Sequence, residues 1–187
     1  MLDASAAVLG SRAIPALAPG ATSSGSTTVT IPAGTATGNY YIIAKADADN
    51  VVAETNKGNN LYYWYIQVGP DLVISALSAP STAAVGATLT ITDTTKNQGG
   101  GGADSTTTRF YLTASTVLDA SAAVLGSRAI PALAAGATNS GSTTVTIPAG
   151  TATGNHYIIA KADADNVVTE TNKGNNLYYW FIQITVN

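Results

Sequence analysis

No cysteine occurs anywhere in the sequence, which removes disulfides, thiolate metal sites and thiol nucleophiles together. Charge is almost as scarce. Eight Lys and Arg face eleven Asp and Glu in 187 residues, a formal net charge of −3, so no basic patch exists to neutralise a phosphate backbone and nucleic-acid binding is not expected. No apolar run approaches the roughly 20 residues of a membrane helix, and no Arg/Lys-rich amphipathic stretch could lie on a bilayer; membrane insertion of this segment is not expected. Catalytic groups are few: one histidine, and two glutamates, Glu54 and Glu170. No GxSxG, HExxH or phosphate-cradling GKS/GKT occurs, and the glycine run Gly99–Gly102 has no lysine after it, so it reads as a flexible strand connection. No enzyme is expected. A leader with a charged, then apolar, then small-residue pattern is also lacking, as an internal or mis-set start would produce.

What the chain does have is itself twice over. LDASAAVLGSRAIPALA begins at Leu2 and again at Leu118, and Asp3 recurs as Asp119, a period of 116 residues. The copies differ only at Pro19/Ala135, Ser23/Asn139, Tyr40/His156, Ala53/Thr169, Tyr65/Phe181 and Val68/Ile184. That points to recent duplication within a longer array. The stretch Pro70–Thr116 occurs once, so residues 1–68 read as the later part of one repeat and 69–187 as a whole one. Met1 stands where the second copy has Val117, as a valine codon read as a start would give. After Ile184 the sequence leaves the repeat, which reads as the end of the array.

Short β-favouring runs separated by Gly, Pro and Asn clusters about every ten residues predict an all-β antiparallel sandwich. Seven strands are expected in the complete repeat: Asp71–Leu77, Thr88–Lys96, Thr106–Thr113, Val124–Ile130, Ser142–Ile147, His156–Asp163 and Leu177–Ile184. Leu89 and Ile91 alternate with Thr90 and Thr92, one face dry and one wet. Ile158, Ala160 and Ala162 share an inward parity that leaves Lys161 and Asp163 outward, which argues against a Lys161 isopeptide. Tyr40 and His156 follow the turn-rich PAGTATGN, the place of a sandwich's corner tyrosine, and His156 reads as its half-buried structural substitute. In LYYWFIQI, setting Gln183 outward turns Tyr178, Trp180, Ile182 and Ile184 inward and leaves Leu177, Tyr179 and Phe181 outside. The first copy repeats this with Tyr63 and Tyr65. Covering loops or a neighbouring domain would explain outward aromatics; so would a sugar-stacking or protein-docking strip.

The densest polar cluster is KADADNVVTETNKGNN, Lys161–Asn176, with its counterpart Lys45–Asn60. Asp163, Asp165, Asn166, Glu170, Asn172, Asn175 and Asn176 offer hard oxygen atoms of the kind calcium takes, as do Asp47, Asp49, Asn50, Glu54 and Asn56. The spacing is not an EF-hand's. The competing reading is that these side chains fold the loop by bonding its own backbone.

PDLVISALSAP, KNQGGGGADSTTTRFYLTAS, VLGSR, IPAGTATG and DADNVVTETNKGNN together resemble the cell-adhesion-related domain found in bacteria, CARDB, over Pro70–Ile184 and the matching part of the first copy. The resemblance implies an immunoglobulin-like or fibronectin-like sandwich, tandem occurrence in secreted or surface proteins of bacteria and archaea, and no catalysis. Two departures weigh against calcium. After FYL, TASTVLDASAAVLG keeps only Asp119, where members of the family often carry several aspartates. Lys173 and Gly174 stand where a Glu commonly precedes the final Asn pair.

The expected function is therefore a non-enzymatic extracellular spacer, stalk or adhesion module whose partners are neighbouring repeats. The alternatives are a carbohydrate-binding module stacking sugars on Tyr179 and Phe181, and a self-associating module. The latter arises because the first copy lacks the strands that Asp71–Thr113 supplies, so the one early half could pair with either later half, within or between chains.

Overall fold

A computed structural model describes residues 6–186; the start of the first copy at Leu2, the Met1 substitution and the final asparagine lie outside them. The chain divides into two compact units, one comprising residues up to Ala36 together with Ile42–Trp64, the other Thr37–Tyr41 together with the chain from Tyr65 onward.

The larger unit is the expected immunoglobulin-like β-sandwich. After β1 (Gly38–Lys45) and β2 (Leu61–Val68), which pair only with each other as a two-stranded sheet, come β3 (Leu72–Ser78), β4 (Thr82–Ala84), β5 (Thr88–Asn97), β6 (Thr106–Thr113), β7 (Ala123–Ile130), β8 (Thr138–Thr146), β9 (Gly154–Lys161) and β10 (Leu177–Thr185). One sheet runs β4-β10-β9-β6-β7, the other β3-β5-β8. All seven expected strands of the complete repeat form. β8 begins four residues earlier than Ser142, because β5 is long enough to pair Lys96 with Thr138. The eighth strand, β4, was not anticipated. It is three residues long and pairs in parallel with β10, Thr82 opposite Gln183 and Ala84 opposite Thr185; so short a segment carries no periodicity.

Alternation places the core. Leu72, Ile74 and Leu77 of β3, Leu89 and Ile91 of β5, Phe110 and Leu112 of β6, Ile158 and Ala160 of β9, and Ile182 and Ile184 of β10 turn inward and form one buried cluster. Each fully buried Leu or Ile contributes about 1.5–3 kcal/mol of transfer free energy. β3 keeps Leu77 inward only through a bulge between Ile74 and Ala76. Two parity expectations fail. Asp163 is buried, because the chain leaves β9 at Lys161 and turns it back under the loop. Tyr178, the second residue of β10, is 41% exposed although it stands opposite the buried Ala160.

The polar interior of the sandwich is organised at one end. Asp93, Thr95 and Asn97 of β5 point inward and are buried. Thr95 and Thr108 hydroxyls meet at 2.7 Å. The Arg128 guanidinium donates from Nε and Nη2 to the Asp93 carboxylate at 2.8 and 2.7 Å. Asn97 Oδ1 accepts the Asp71 and Gly99 N–H groups, both at 3.1 Å, while its Nδ2 donates to the carbonyls of Gly101 and Leu133 at 2.7 and 3.0 Å.

The glycine run corrects the expectation of a merely flexible connection. A Cβ on Gly99 would stand 2.4 Å from the Gly69 carbonyl oxygen, on Gly100 2.5 Å from that of Gln67, and on Gly101 2.8 Å from Gly69 Cα. Backbone packs directly on backbone there, which only glycine permits.

The smaller unit contains the sequence of β7 and β8 once more, as Ala7–Ile14 and Thr22–Thr30, yet neither segment is a strand. In the complete repeat β7 pairs with β6 and β8 with β5; among the described residues neither 7–14 nor 22–30 has a ladder partner. Residues that differ only at Ser23/Asn139 thus take strand geometry where a neighbouring strand supplies the ladder.

Candidate functional site

The loop between β9 and β10 starts from strain that its sequence tolerates. Asp163 and Asn166 have φ of 42° and 56°, and Asp47 and Asn50 repeat this at 45° and 58°; Asp and Asn are the non-glycine residues that best accept the left-handed region. The Asn166 N–H closes the turn on the Asp163 carbonyl at 2.9 Å. The Asp163 carboxylate accepts the N–H groups of Val167 and Val168 at 3.0 and 3.1 Å and the Thr106 hydroxyl at 2.7 Å. Glu170 accepts the Leu72 N–H on one oxygen at 2.5 Å and Asn176 Nδ2 on the other at 2.8 Å, so it bonds the loop to β3. Burial raises its pKa, partly countered by the Leu72 and Asn176 bonds.

Elsewhere in the loop, Asp165 accepts Arg109 at 2.6 Å. That bond, with a second to Tyr111, holds the guanidinium pKa above its ordinary value. Asn172 Oδ1 accepts the Gly174 N–H at 2.9 Å, and Asn175 Nδ2 donates to Asp71 at 3.0 Å.

Calcium needs six to eight oxygen ligands, and these residues do not fit it. The Asp163 and Glu170 carboxylates are engaged by protein donors, and the Lys173 ammonium bonds Asn166 Oδ1. The Asn175 and Asn176 amide oxygens are buried without donors, but two neutral oxygens fall far short of a calcium shell. Among the described residues no three His, Cys, Asp or Glu side chains converge on a metal position. The first copy behaves alike. Asp47 accepts Val51 N–H at 2.9 Å, Glu54 accepts Asn60 Nδ2 at 2.7 Å, Asn56 accepts Gly58 N–H at 2.9 Å, and Asp49 is exposed. The Lys57 ammonium bonds Asn50 Oδ1 and lies 3.7 Å from Asp47 Oδ2. Asp119, after β6, is taken up by Ser121, whose hydroxyl and then N–H lower its pKa.

The outward aromatics have a partner beneath them. Ile159 is fully buried yet stands apart from the core cluster. It sits on the outer face of the five-stranded sheet, with Tyr179 and Tyr111 directly opposite on the flanking strands. Tyr157 and Phe181 form the next rung, their rings edge to face at 6.0 Å and 77°. Tyr179 and Phe181 remain 43% and 47% exposed. Tyr179 and Tyr111 thus flank the buried Ile159 on this face. In the first copy Tyr41 and Tyr65 meet edge to face at 5.8 Å, Tyr65 donates its hydroxyl to Asn39 at 2.8 Å, and Tyr63 is likewise half exposed.

His156 is buried beside an open cleft lined by Thr113, Pro148 and Thr151, with Nδ1 3.3 Å from the Gly154 carbonyl. That carbonyl belongs to the first residue of β9, two positions before the ring. Sequence reasoning passed over Asn97, Asp93 and Arg128; the signal available was an Asn directly ahead of the glycine run.

Among solved structures, the chain is similar to a CARDB domain from Pyrococcus furiosus in complex with di-metal ions, at 22% identity over 63% of this chain and 90% of that one, with a TM-score of 0.49. It is also similar to a domain of a protein provisionally named a cell surface protein, from Methanosarcina acetivorans, at 21% identity over 63% and 94%, TM-score 0.46. A third likeness is to 19% of a β-glucosidase from Listeria innocua, at 15% identity over 71% of this chain, TM-score 0.42. No curated protein matches the sequence. No helix among the described residues is long and apolar enough to cross a membrane. The family model for CARDB matches residues 2–63 and again 69–179, one match to each sequence copy, and the chain therefore belongs to the CARDB family.

Proposed function

We propose that the chain is a non-enzymatic, load-bearing spacer repeat of a bacterial or archaeal surface or secreted protein. The observation that carries this reading is the parallel pairing of β4 with β10. The complete repeat is entered at β3 and left at β10. Tension along the chain therefore pulls the two parallel strands past each other, so that their bonds break together rather than one by one. Those bonds are Gln183 N–H to the Ser81 carbonyl at 2.8 Å and Val85 N–H to the Thr185 carbonyl at 3.0 Å. The engaged loop carboxylates suit a spacer, and the metal pair of the Pyrococcus domain is not carried over to this loop.

The test is single-molecule stretching of the full chain. The expected trace has one dominant unfolding event that lengthens the chain by roughly 35–40 nm, the extended reach of some 115 residues. Val85→Pro, which deletes one of the shearing donors, should cut the unfolding force sharply while moving the urea midpoint little. Equal forces in both proteins would overturn the reading. Glycan stacking on Tyr179 and Phe181 is the second reading, favoured by their half exposure. Quenching of tyrosine or tryptophan emission by oligosaccharides would support it.

A further inference from the structure

Where β6 ends and β9 begins, at the opposite end of β6 from the glycine run, the complete repeat has an open cleft of about 320 Å³. Thr113 closes β6, Ser121 lies in the loop that follows, Pro148 and Thr151 lie in the turn between β8 and β9, and His156 belongs to β9. The volume is at the small end of ligand sites and suits a single ring. No Lys, Arg, Asp or Glu lines it, and Leu112 and Pro148 give it apolar surface.

His156 sets the polarity of the cleft. The residue is 9% exposed, and its one hydrogen bond among the described residues joins Nδ1 to the Gly154 carbonyl at 3.3 Å. A carbonyl only accepts, so the ring proton sits on Nδ1 and the neutral imidazole is left with a bare Nε2. Among the described residues no donor reaches Nε2, although buried polar atoms are as a rule paired. The hydroxyls complete the pattern. Ser121 donates its proton to Asp119 at 2.6 Å, which leaves its oxygen to accept. Thr113 Oγ1 accepts the Ser115 N–H at 3.2 Å, which leaves its proton to donate. The Thr151 N–H goes to the Pro148 carbonyl at 3.0 Å, and its hydroxyl bonds none of the described residues, whereas the Thr35 hydroxyl of the first copy donates to Pro32 at 2.7 Å.

A ligand for this cleft must donate to a bare imidazole nitrogen, exchange hydrogen bonds with hydroxyls of both senses, carry no charge and set an apolar face on Leu112 and Pro148. An anion would meet the Nε2 lone pair, and a metal ion would find no carboxylate in the wall. A sugar ring, with hydroxyls on its rim and C–H groups on its face, meets all four demands. We infer that the cleft binds one neutral pyranose ring, with a ring hydroxyl donating to His156 Nε2. Neither Tyr179 nor Phe181 lines it, so the inference rests neither on the aromatic strip nor on the spacer reading. The first copy has Tyr40 at the position of His156, which assigns this chemistry to the second copy alone.

The chain has one histidine, which makes the test direct. Long-range 15N–1H spectra of the full chain in mildly alkaline buffer should show Nδ1 protonated and Nε2 bare. Methyl pyranosides of glucose, galactose, mannose and N-acetylglucosamine are then added to millimolar excess. At least one should shift Nε2 upfield saturably, as a lone pair shifts on accepting a hydrogen bond, and should move the Thr113 and Thr151 amide signals with it. A disaccharide ending in the same residue should bind as well if the ring is the end of a glycan, and poorly if it is a free sugar. His156→Tyr, which installs the first copy's residue, should weaken binding roughly tenfold, the loss of one hydrogen bond; His156→Gln, which keeps an acceptor, should retain more of it. Thr151→Val should weaken it without touching the core, and Tyr179→Ala combined with Phe181→Ala should leave it unchanged. A bare Nδ1, silence toward every pyranoside, binding indifferent to both His156 and Thr151, or a response to zinc alone would overturn the inference.

Discussion

Replacing Arg128 with alanine isolates the largest single electrostatic commitment in the sandwich. The Asp93 side chain is fully buried, and two of its accepted bonds come from Arg128; only the Thr95 hydroxyl, at 3.3 Å, remains when the guanidinium is removed. The freed space also strands Asn139, whose Oδ1 and carbonyl accept from the same group. Breaking a buried pair from one side costs about 3–5 kcal/mol. With a urea slope of about 1–3 kcal/mol/M, the midpoint of the complete repeat should fall by roughly 2 M. Trp180 packs against the core and reports that unfolding; a Trp64→Phe background leaves it the sole tryptophan. Adding Asp93→Asn to Arg128→Ala should recover a good part of the loss, because an amide is cheaper to bury than a stranded charge. The chain supplies its own control, since Arg12 is exposed and among the described residues its guanidinium bonds only Ser23; Arg12→Ala should change stability by no more than about 0.5 kcal/mol. A midpoint shift below about 0.5 M for Arg128→Ala, or equal effects at the two arginines, would refute the reasoning.

Gly100→Ala should lower the melting temperature through a backbone clash worth about 1–3 kcal/mol or more, whereas Gly150→Ala, with open space around its Cβ, should leave it unchanged or slightly raised. Asp163→Ala removes three accepted bonds and should cost about 2–4 kcal/mol by urea titration; neither it nor the unaltered protein should melt differently in millimolar calcium and in EDTA, since the loop oxygens do not form a calcium shell. Glu170 has a pKa raised by burial above its ordinary value of 4.5, so the folded state binds the extra proton and stability should decline as pH rises through the interval above 4.5. Glu170→Gln should abolish that slope, and a slope that survives in the variant would assign it to another group.

Periodicity made most of the sandwich legible. Leu89, Ile91, Ile158 and Ala160 are buried as the alternation within β5 and β9 requires, and Ala162, just past the end of β9, keeps the same parity. Parity failed near strand ends, at Tyr178 and Asp163. β4 escaped notice because three residues show no period. Residues 7–14 and 22–30 show the deeper limit: they repeat β7 and β8 but for Ser23/Asn139, yet among the described residues only the second copy, with β6 and β5 beside it, is in strands. The loop's oxygen-rich composition was visible, yet only geometry showed that Thr106, Leu72, Arg109 and Lys173 already occupy those oxygens.

One face of the sandwich has a bearing on where such a protein can work. Along the outer side of β5 and β8, hydroxyls pair across the strands: Thr88 with Thr146 at 3.5 Å, Thr92 with Ser142 at 3.1 Å and Thr94 with Ser140 at 2.8 Å. This lattice meets water through neutral donors and acceptors, so ionic strength has little there to screen. A face wetted mainly by alcohol groups rather than ions keeps its hydration in brine as in fresh water, so this side of the repeat answers little to the salt around it.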